Sequence, residues 1–415
     1  MRRGWMQVLM IVVAAGALVL PTAAEAAERG PIKIGFLAPF SGGGAQTGKD
    51  MLNSFELALD EAGRQAAGRK IEMIVEDDEG VSATGLAKAR KLVERDKIHI
   101  LAGIVFAHVG YALAPYADAS RIPFVYPVTA PDDLTQRKPA KWVIRVGWTG
   151  SQTSHPFGEY ACKTLGYKRV ALMVAGFTFG WEASGGFQLT FEESGCQVVQ
   201  RLWVPLNAQD FAPYLSQIKR DANAVFAIFF GPQSLRLVKQ YQELGLKDKV
   251  SLIGNGILTD EHFLPSMGDE AVGVITALHY SEALDNPANK RFREAFLKKA
   301  GKIASYYSAN AYDAGRWIVE AIKAVNGNVE DRDALLAALR KVELRDSSRG
   351  PFRLDADNNP IQNTYIRKVE KVGGWLQNTV IYTYPDVSQY WKYNREEYLK
   401  QPVYDRNNPP CRFCD

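Results

Sequence analysis

The sequence lacks the marks of several protein classes. Beyond residue 30, no stretch reaches the run of about 18 apolar residues that a membrane-spanning helix needs, so the rest of the chain is expected to be soluble. Neither sign of charge dominates, because 50 Lys and Arg residues stand against 46 Asp and Glu residues. No basic stripe alternates with aromatic residues, so nucleic acid is not an expected partner.

Catalytic and metal-binding signatures are also missing. There is no Gly-x-Ser-x-Gly or His-Glu-x-x-His motif, and none of the five histidines have metal-ligand spacing. We therefore predict a protein that is not an enzyme and has no cofactor and no metal. Glu76-Asp77-Asp78 is a possible exception, but adjacent carboxylates at a strand end favour a solvated turn. A phosphate-binding loop is suggested by Gly43–Lys49, but Asp50 stands where that motif needs Ser or Thr.

Cysteine is scarce, and the four present allow three pairings. The sequence favours Cys162–Cys196 within one lobe and Cys411–Cys414 as a local loop. The alternative for the second pair, redox activity or zinc binding, fits poorly with a tail rich in Pro and Asn.

The N-terminus has the pattern of a secretory signal peptide. Arg2 and Arg3 precede the short apolar run Val8–Leu20, and Ala24-Glu25-Ala26 fits a cleavage site. We predict that residues 1–26 are removed, with an N-terminal membrane anchor as the alternative, and that the mature protein is periplasmic.

About 385 residues remain, which is too many for one compact core and favours two lobes. Apolar runs alternate with helical periodicity from Ile32 onward, and the pattern starts again after Val146, so we predict two doubly wound α/β lobes. In the second lobe we expect a helix at Phe211–Lys219. The predicted boundaries are 31–147 plus 278–346 for lobe 1, 148–277 plus 347–383 for lobe 2, and 384–415 for a C-terminal tail lying over the lobes.

Three short antiparallel strands are predicted near the end of the chain, at Phe352–Leu354, Thr364–Val369 and Trp375–Thr383. Ligands of open α/β sheets bind beyond the carboxyl ends of the strands, so two facing lobes predict one cleft that closes by hinge motion. Loop residues Phe106 and Phe179, flanked by glycine and small polar residues, favour a cleft lining over an ordinary core.

Several segments in order resemble the periplasmic binding proteins of branched-chain amino acid ABC transporters. They are Ile32–Gly42, Glu76–Asp78, Pro127–Thr135 and Phe179-Gly180. The resemblance runs from about Ile32 to Gly327 and implies the type I periplasmic binding fold, with three crossovers between the lobes. It implies a monomer that binds a small molecule and docks on an inner-membrane ABC permease.

The resemblance also implies where a ligand is held. Backbone amides and hydroxyls near Phe106-Ala107-His108 and Val128-Thr129 would bind a carboxylate. The place where amino-acid binders carry an acid reads Gly254-Asn255-Gly256, and leaving an ammonium unpaired there would cost several kcal/mol or so. Tyr307–Ala314 and the Cys411–Cys414 tail resemble a subgroup that binds aromatic acids.

We therefore predict an aromatic or other apolar carboxylate as ligand. The alternatives are a branched-chain amino acid or amide, which an acid at Asp260 or Glu261 inside the cleft would support, and a sensor that signals to a membrane receptor. The predicted ligand-binding residues are Ser41, Gln46, Thr47, Phe106, Ala107, His108, Val128, Thr129, Phe179, Phe230, Asn255 and Tyr307.

Overall fold

The computed structural model describes residues 29–414, which form two β-sheets. The strands of the first sheet are β1 (Ile32–Ala38), β2 (Gln65–Ala66), β3 (Arg69–Asp77), β4 (Ile100–Gly103), β5 (Phe124–Tyr126) and β6 (Val143–Arg145). Their order is β2-β3-β1-β4-β5-β6, and every neighbouring pair is parallel except β2 with β3. Parallel strands buried on both faces match the continuous apolar runs of the sequence.

The second sheet uses the rest of the chain. Its strands are β7 (Arg169–Ala175), β8 (Gln197–Val204), β9 (Ala224–Ile228), β10 (Ser251–Asn255), β11 (Ile275–Leu278), β12 (Glu343–Leu344), β13 (Phe352–Leu354), β14 (Pro360–Val372) and β15 (Trp375–Val387). The order is β12-β13-β14-β11-β10-β9-β7-β8, with β15 on the free side of β14. The strands from β8 to β11 are parallel, and β14 joins β11 antiparallel.

Helices cover the faces of both sheets. They are α1 (Ala45–Glu61), α2 (Ser82–Arg90), α3 (Ala107–Ser120), α4 (Ser154–Lys163), α5 (Thr178–Glu193), α6 (Ala212–Leu215), α7 (Pro232–Glu243), α8 (Leu264–Met267), α9 (Pro287–Ala300), α10 (Tyr306–Ala324), α11 (Arg332–Lys341) and α12 (Arg395–Lys400). Within the described range, no helix combines the length and apolar character needed to cross a membrane. We call the first sheet with its helices, including α10 and α11, lobe 1, and the second sheet with its helices lobe 2.

The chain crosses between the lobes three times, after β6, after β11 and after α11. Arg349 in the third crossover donates to the carbonyl oxygens of Val146 and Gly147 in the first crossover and, at 2.8 Å, to Asn310 Oδ1 on α10. Its guanidinium also lies 3.5 Å from the Asp313 carboxylate, and both side chains are fully buried. One arginine therefore joins two crossovers to a helix of lobe 1.

Two disulfides are present, Cys162–Cys196 and Cys411–Cys414, which confirms the predicted pairing. The first joins the end of α4 to the segment before β8. The second closes the end of the chain, which lies against β8, where Cys411 is 3.5 Å from the carbonyl oxygen of Val198.

The segment from Ser388 to the second disulfide, which we call the strap, runs along lobe 2 and also contacts lobe 1. Tyr404 packs against α5, where a Cβ at Gly185 would lie 2.6 Å from its ring, and its hydroxyl is 3.0 Å from His155 Nε2. On lobe 1, Arg137 donates to the carbonyl oxygen of Gln401 at 2.8 Å, and Thr135 donates to Gln389 at 2.9 Å. The strap therefore contacts both lobes.

Two local predictions are wrong. Instead of a helix at Phe211–Lys219, only Ala212–Leu215 is helical. The side chains of Ser216 and Gln217 both donate to the carbonyl oxygen of Pro213, which a continuing helix would need for its own backbone bond. The last two predicted strands are longer than expected, and β14 and β15 form a hairpin of 13 residues on each side that ends near exposed Trp375.

Candidate ligand-binding cleft

The carboxyl ends of the parallel strands of both lobes face each other. The loop after β10 in lobe 2 brings His262 Nδ1 within 4.0 Å of the Asp50 carboxylate on α1 of lobe 1. The loops after β1, β4 and β5 line one wall, and those after β7, β9 and β10 line the other. The cleft therefore lies where ligands of open α/β sheets bind.

In lobe 1, the side chains of Phe106 and His108 are fixed by contacts with each other and with neighbouring residues of the same lobe. The Phe106 ring stacks on the His108 imidazole with centroids 5.7 Å apart, and it leaves no room for side chains at Gly44 and Gly80, where added Cβ atoms would lie 3.0 and 2.8 Å away. His108 is exposed and its Nε2 lies 2.7 Å from the carbonyl oxygen of Gly80. The sequence left a ligand role for His108 open, and the structure gives its ring a partner within lobe 1.

The first turn of α3 has free backbone donors. Its N-cap, Phe106, makes no side-chain capping bond, so the amides of Ala107 and the next residues have no partner within the helix. Thr129 lies beside this turn, where a Cβ added at Gly110 would be 2.9 Å from the Thr129 Cγ2 atom, and Val128 before it is buried. The Thr129 hydroxyl is fully buried, and no hydrogen-bond partner for it occurs within residues 29–414.

Lobe 2 and the crossovers contribute a connected aromatic surface. Phe177 contacts Phe179 and Phe230 with ring centroids 6.1 and 5.8 Å apart. Phe179 then meets Trp148 edge to face at 5.3 Å. Phe179 and Phe230 were predicted, whereas Phe177 and Trp148 were missed, although both directly follow the end of a strand or a crossover.

The predicted Tyr307 lies at the other end of the same surface. Its ring is 4.0 Å from that of Tyr306, which contacts Trp148 at 6.0 Å. Tyr306 and Tyr307 open α10 of lobe 1, so the aromatic surface spans both lobes. Such a surface suits a flat apolar ligand.

The acidic cluster Glu76–Asp78 stabilises the loop after β1. Asp77 accepts from the backbone N–H of Phe40 at 2.8 Å, and Glu76 is paired with Lys88 at 2.8 Å and with Lys91. Asp78 is fully buried and accepts from the backbone N–H of Gly80. The prediction of a solvated turn is therefore wrong, because these acids brace the cleft loops.

The other predicted residues of lobe 1 sit at the cleft rim. Ser41 and Gln46 are exposed and Thr47 is half-buried. The Gln46 amide donates to Asp50 at 2.9 Å.

Asn255 in lobe 2 is buried and engaged within its own lobe. Its Oδ1 accepts from the backbone N–H of Ile257 at 3.2 Å, and its Nδ2 is 3.5 Å from the Thr153 hydroxyl. The side chain thereby caps the short helical turn after β10.

Two acids follow that turn. Glu261 is buried against Arg367, 3.0 Å away, and accepts from Asn378 at 3.1 Å. Asp260 accepts from the backbone N–H of His262 at 3.0 Å, while its Oδ2 has no hydrogen-bond partner in the described chain. Burial, and then the Glu261 charge, raises the pKa of Asp260 above its ordinary value.

A second pair of buried acids gave no signal in the sequence. Glu182 on α5 and Asp132 after β5 come from opposite lobes and flank the Gly150-Ser151 segment. The backbone N–H of Ser151 donates to Asp132 at 3.2 Å, and a Cβ at Gly150 would lie 3.3 Å from Glu182 Oε2. Burial and then the Asp132 charge raise the pKa of Glu182 well above its ordinary value, and burial raises that of Asp132 to about 6.

Comparison with known proteins agrees with this geometry. The family model described as periplasmic binding protein matches residues 31–374. This chain belongs to the periplasmic binding protein family, a family of substrate-binding proteins, and it has the type I fold that the sequence predicts.

Individual relatives narrow the class to solute-binding proteins of ABC transporters. Leu/Ile/Val-binding protein homolog 6 of Brucella melitensis is 32% identical over 374 residues, covering 88% of this chain and 95% of the relative. A solute-binding protein of an ABC transporter from Rhodopseudomonas palustris BisB5, solved with 3,4-dihydroxybenzoic acid, is 33% identical with a TM-score of 0.82, covering 86% and 98% of the two chains. Another from R. palustris, solved with benzoate, is 30% identical with a TM-score of 0.78, covering 85% and 96%.

Proposed function

We propose that this protein binds a small aromatic carboxylate in the periplasm and delivers it, as a monomer, to an ABC permease in the inner membrane. The observation that carries the ligand class is the buried hydroxyl of Thr129, which has no hydrogen-bond partner within residues 29–414 and lies beside the open first turn of α3. A hydroxyl and free amides at a helix N-terminus suit a carboxylate. The aromatic surface of Phe177, Phe179 and Phe230 suits the ring.

The relatives support the same ligand class, since R. palustris proteins of this fold hold benzoate and dihydroxybenzoate. The second candidate is an amino acid, and one observation favours it. Asp260 has a carboxyl oxygen without a hydrogen-bond partner in the described chain, and burial, followed by the Asp260 charge, raises the pKa of the Tyr307 phenol. An ammonium group beside Asp260 would stabilise its ionised form.

A thermal-shift panel on the mature protein separates the two candidates. Benzoate, 4-hydroxybenzoate and 3,4-dihydroxybenzoate are compared with leucine, isoleucine and valine. A ligand that binds the native state alone stabilises it by about 2.7 kcal/mol at a hundredfold excess over its Kd. We expect stabilisation by the aromatic acids only; stabilisation by the amino acids only would refute the proposal.

Two variants test the cleft itself. Phe230→Ala should weaken binding of the aromatic acids, whereas Trp375→Ala, at a side chain that is 77% exposed in the β14–β15 turn, should not. Asp260→Asn should leave binding of aromatic acids intact. Loss of binding in the Asp260 variant alone would favour the amino-acid alternative.

A further inference from the structure

Two buried carboxyl groups from opposite lobes meet beside the cleft. Glu182 of lobe 2 and Asp132 of lobe 1 are each only 4% exposed, and both lie against the Gly150-Ser151 segment. The backbone N–H of Ser151 donates to Asp132 at 3.2 Å, and a Cβ at Gly150 would be 3.3 Å from Glu182 Oε2. Glu182 Oε2 and Asp132 Oδ2 have no hydrogen-bond partner within the described residues. Buried carboxyl oxygens without partners are costly, so this pair requires a compensating group.

The surrounding charges do not balance both acids. Asp133 is already paired with Arg137 at 3.1 Å. The fully buried Arg145 directs its donors to the carbonyl oxygens of Pro131 at 2.5 Å and Trp148 at 3.3 Å and to Asn359 Oδ1 at 3.3 Å. Arg145 therefore supplies one positive charge for two carboxyl groups and makes no direct bond to either of them. A proton on one acid completes the balance.

Glu182 Oε2 lies next to the proposed carboxylate site. The backbone N–H of Gly150 donates to Ala130, the neighbour of Thr129, at 2.8 Å. A Cβ at Gly150 would be 3.3 Å from Glu182 Oε2 and 3.4 Å from the Phe179 ring. This oxygen thus sits where the Thr129 segment of lobe 1 meets the aromatic surface of lobe 2.

We propose that Glu182 enters the closed cleft as a neutral carboxylic acid whose Oε2–H group donates a hydrogen bond to the ligand carboxylate, so that ligand binding takes up one proton from solvent. This inference rests on the proposed function. The proton adds to one Glu182 oxygen, no other bond forms or breaks, and the ligand remains an anion. The ligand carboxylate is then held by both lobes, by Thr129 and α3 from one side and by Glu182 from the other.

The sign of the pH dependence follows from the groups around Glu182. After burial, the charges of Asp132 and Asp133 in lobe 1 raise the pKa of Glu182, and Arg145 opposes them. Tyr111, also of lobe 1, is neutral near pH 7 because burial raises its pKa. On the far side of Asp132, the strap contributes Tyr398 and Tyr404, which are neutral near pH 7 because burial raises the pKa of both.

When the hinge opens, Glu182 separates from Asp132 and enters water, where a glutamate has a pKa of about 4.3 and is ionised at pH 7, so closure around the ligand requires proton uptake. Binding therefore tightens as pH falls from 8 to 6.

Isothermal titration calorimetry tests this directly. 4-Hydroxybenzoate is titrated into the mature protein at pH 7 in phosphate and in Tris, whose different ionisation enthalpies report the number of protons taken up. We expect an uptake near one proton per ligand and a Kd that rises up to about tenfold per pH unit between pH 6 and 8. Glu182→Gln should lower the uptake by about one proton and flatten the pH profile.

Control variants locate the proton. Asp260→Asn removes another buried acid with an oxygen that lacks a hydrogen-bond partner in the described chain, and Glu294→Gln removes an exposed acid on α9; both should keep the uptake. Thermal melts of the unliganded variants establish that each is folded. Binding without proton uptake, or an uptake that Asp260→Asn abolishes and Glu182→Gln does not, would overturn the inference while leaving the proposed function intact. Absence of binding by any aromatic acid would instead refute the proposed function.

Discussion

The junction around Arg349 predicts a large loss of stability for Arg349→Met. The guanidinium makes charge-assisted hydrogen bonds to Asn310 and to the first crossover, each worth about 1.5–3 kcal/mol, and it is the buried cation beside Asp313. Removing one member of a buried ion pair costs about 3–5 kcal/mol. The hydrogen-bond and ion-pair contributions are not additive, because they describe the same guanidinium. Asp313 also keeps a hydrogen bond from the Ser348 hydroxyl at 3.0 Å in the variant, which limits the loss. We expect a loss of about 4 kcal/mol.

Urea unfolding followed by circular dichroism measures this loss. The matched control is Arg345→Met, four residues earlier, where the arginine side chain is 89% exposed and little change is expected. Adding Asp313→Asn to Arg349→Met removes the uncompensated buried charge and should recover about half of the loss. A loss below about 1 kcal/mol for Arg349→Met, or no recovery in the double variant, would refute this account of the crossover junction.

Three further predictions concern single features. Thr129→Val keeps the shape of the side chain but removes its hydroxyl, so affinity for 4-hydroxybenzoate should fall at least about tenfold by calorimetry; an unchanged Kd would exclude a ligand contact. Burial raises the pKa of Asp78 to about 6, so its stability contribution is full below about pH 4 and is lost as pH rises through 6. Asp78→Asn should therefore stabilise the protein by about 2 kcal/mol at pH 8 and hardly at all at pH 4, and an equal gain at both would contradict this. Replacing Cys162 and Cys196 together by Ala should lower the unfolding free energy by about 2–4 kcal/mol in urea, since the disulfide closes a loop of 34 residues; an unchanged midpoint would count against it.

Much of the fold could be predicted because its signals are local. Apolar runs such as Ile32–Ala38 are buried on both faces of a parallel sheet and therefore stand out in the sequence. The β14–β15 hairpin was underestimated mainly at its open end, where Pro360–Asn363 and Tyr384–Val387 extend the two strands beyond the predicted bounds. At the turn end only Glu370–Val372 were missed, where charged residues interrupt the apolar pattern.

The site could be predicted only in part. Phe106 and Thr129 follow strands and lie in loops next to small residues, and this position indicates that they line the cleft. Glu182 gives no such signal, because a glutamate within a helix is ordinarily an exposed residue. It is buried near Asp132, which lies in the other lobe. No local pattern in a single sequence indicates that these two residues are close in space.

The way the chain passes between the lobes also has a consequence for the order of folding. Strand β11 in the middle of the second sheet pairs with β14, so that Ile275 finds Lys368 only after lobe 1 has been completed by α10 and α11. Pairings between such distant residues form slowly, because a long loop must close first. Lobe 2 therefore cannot finish its sheet while the chain is still being synthesised up to β14. The chain is proposed to cross a membrane before it folds. Because β14 pairs with β11 late, the polypeptide stays unfolded for longer and can be exported during that time.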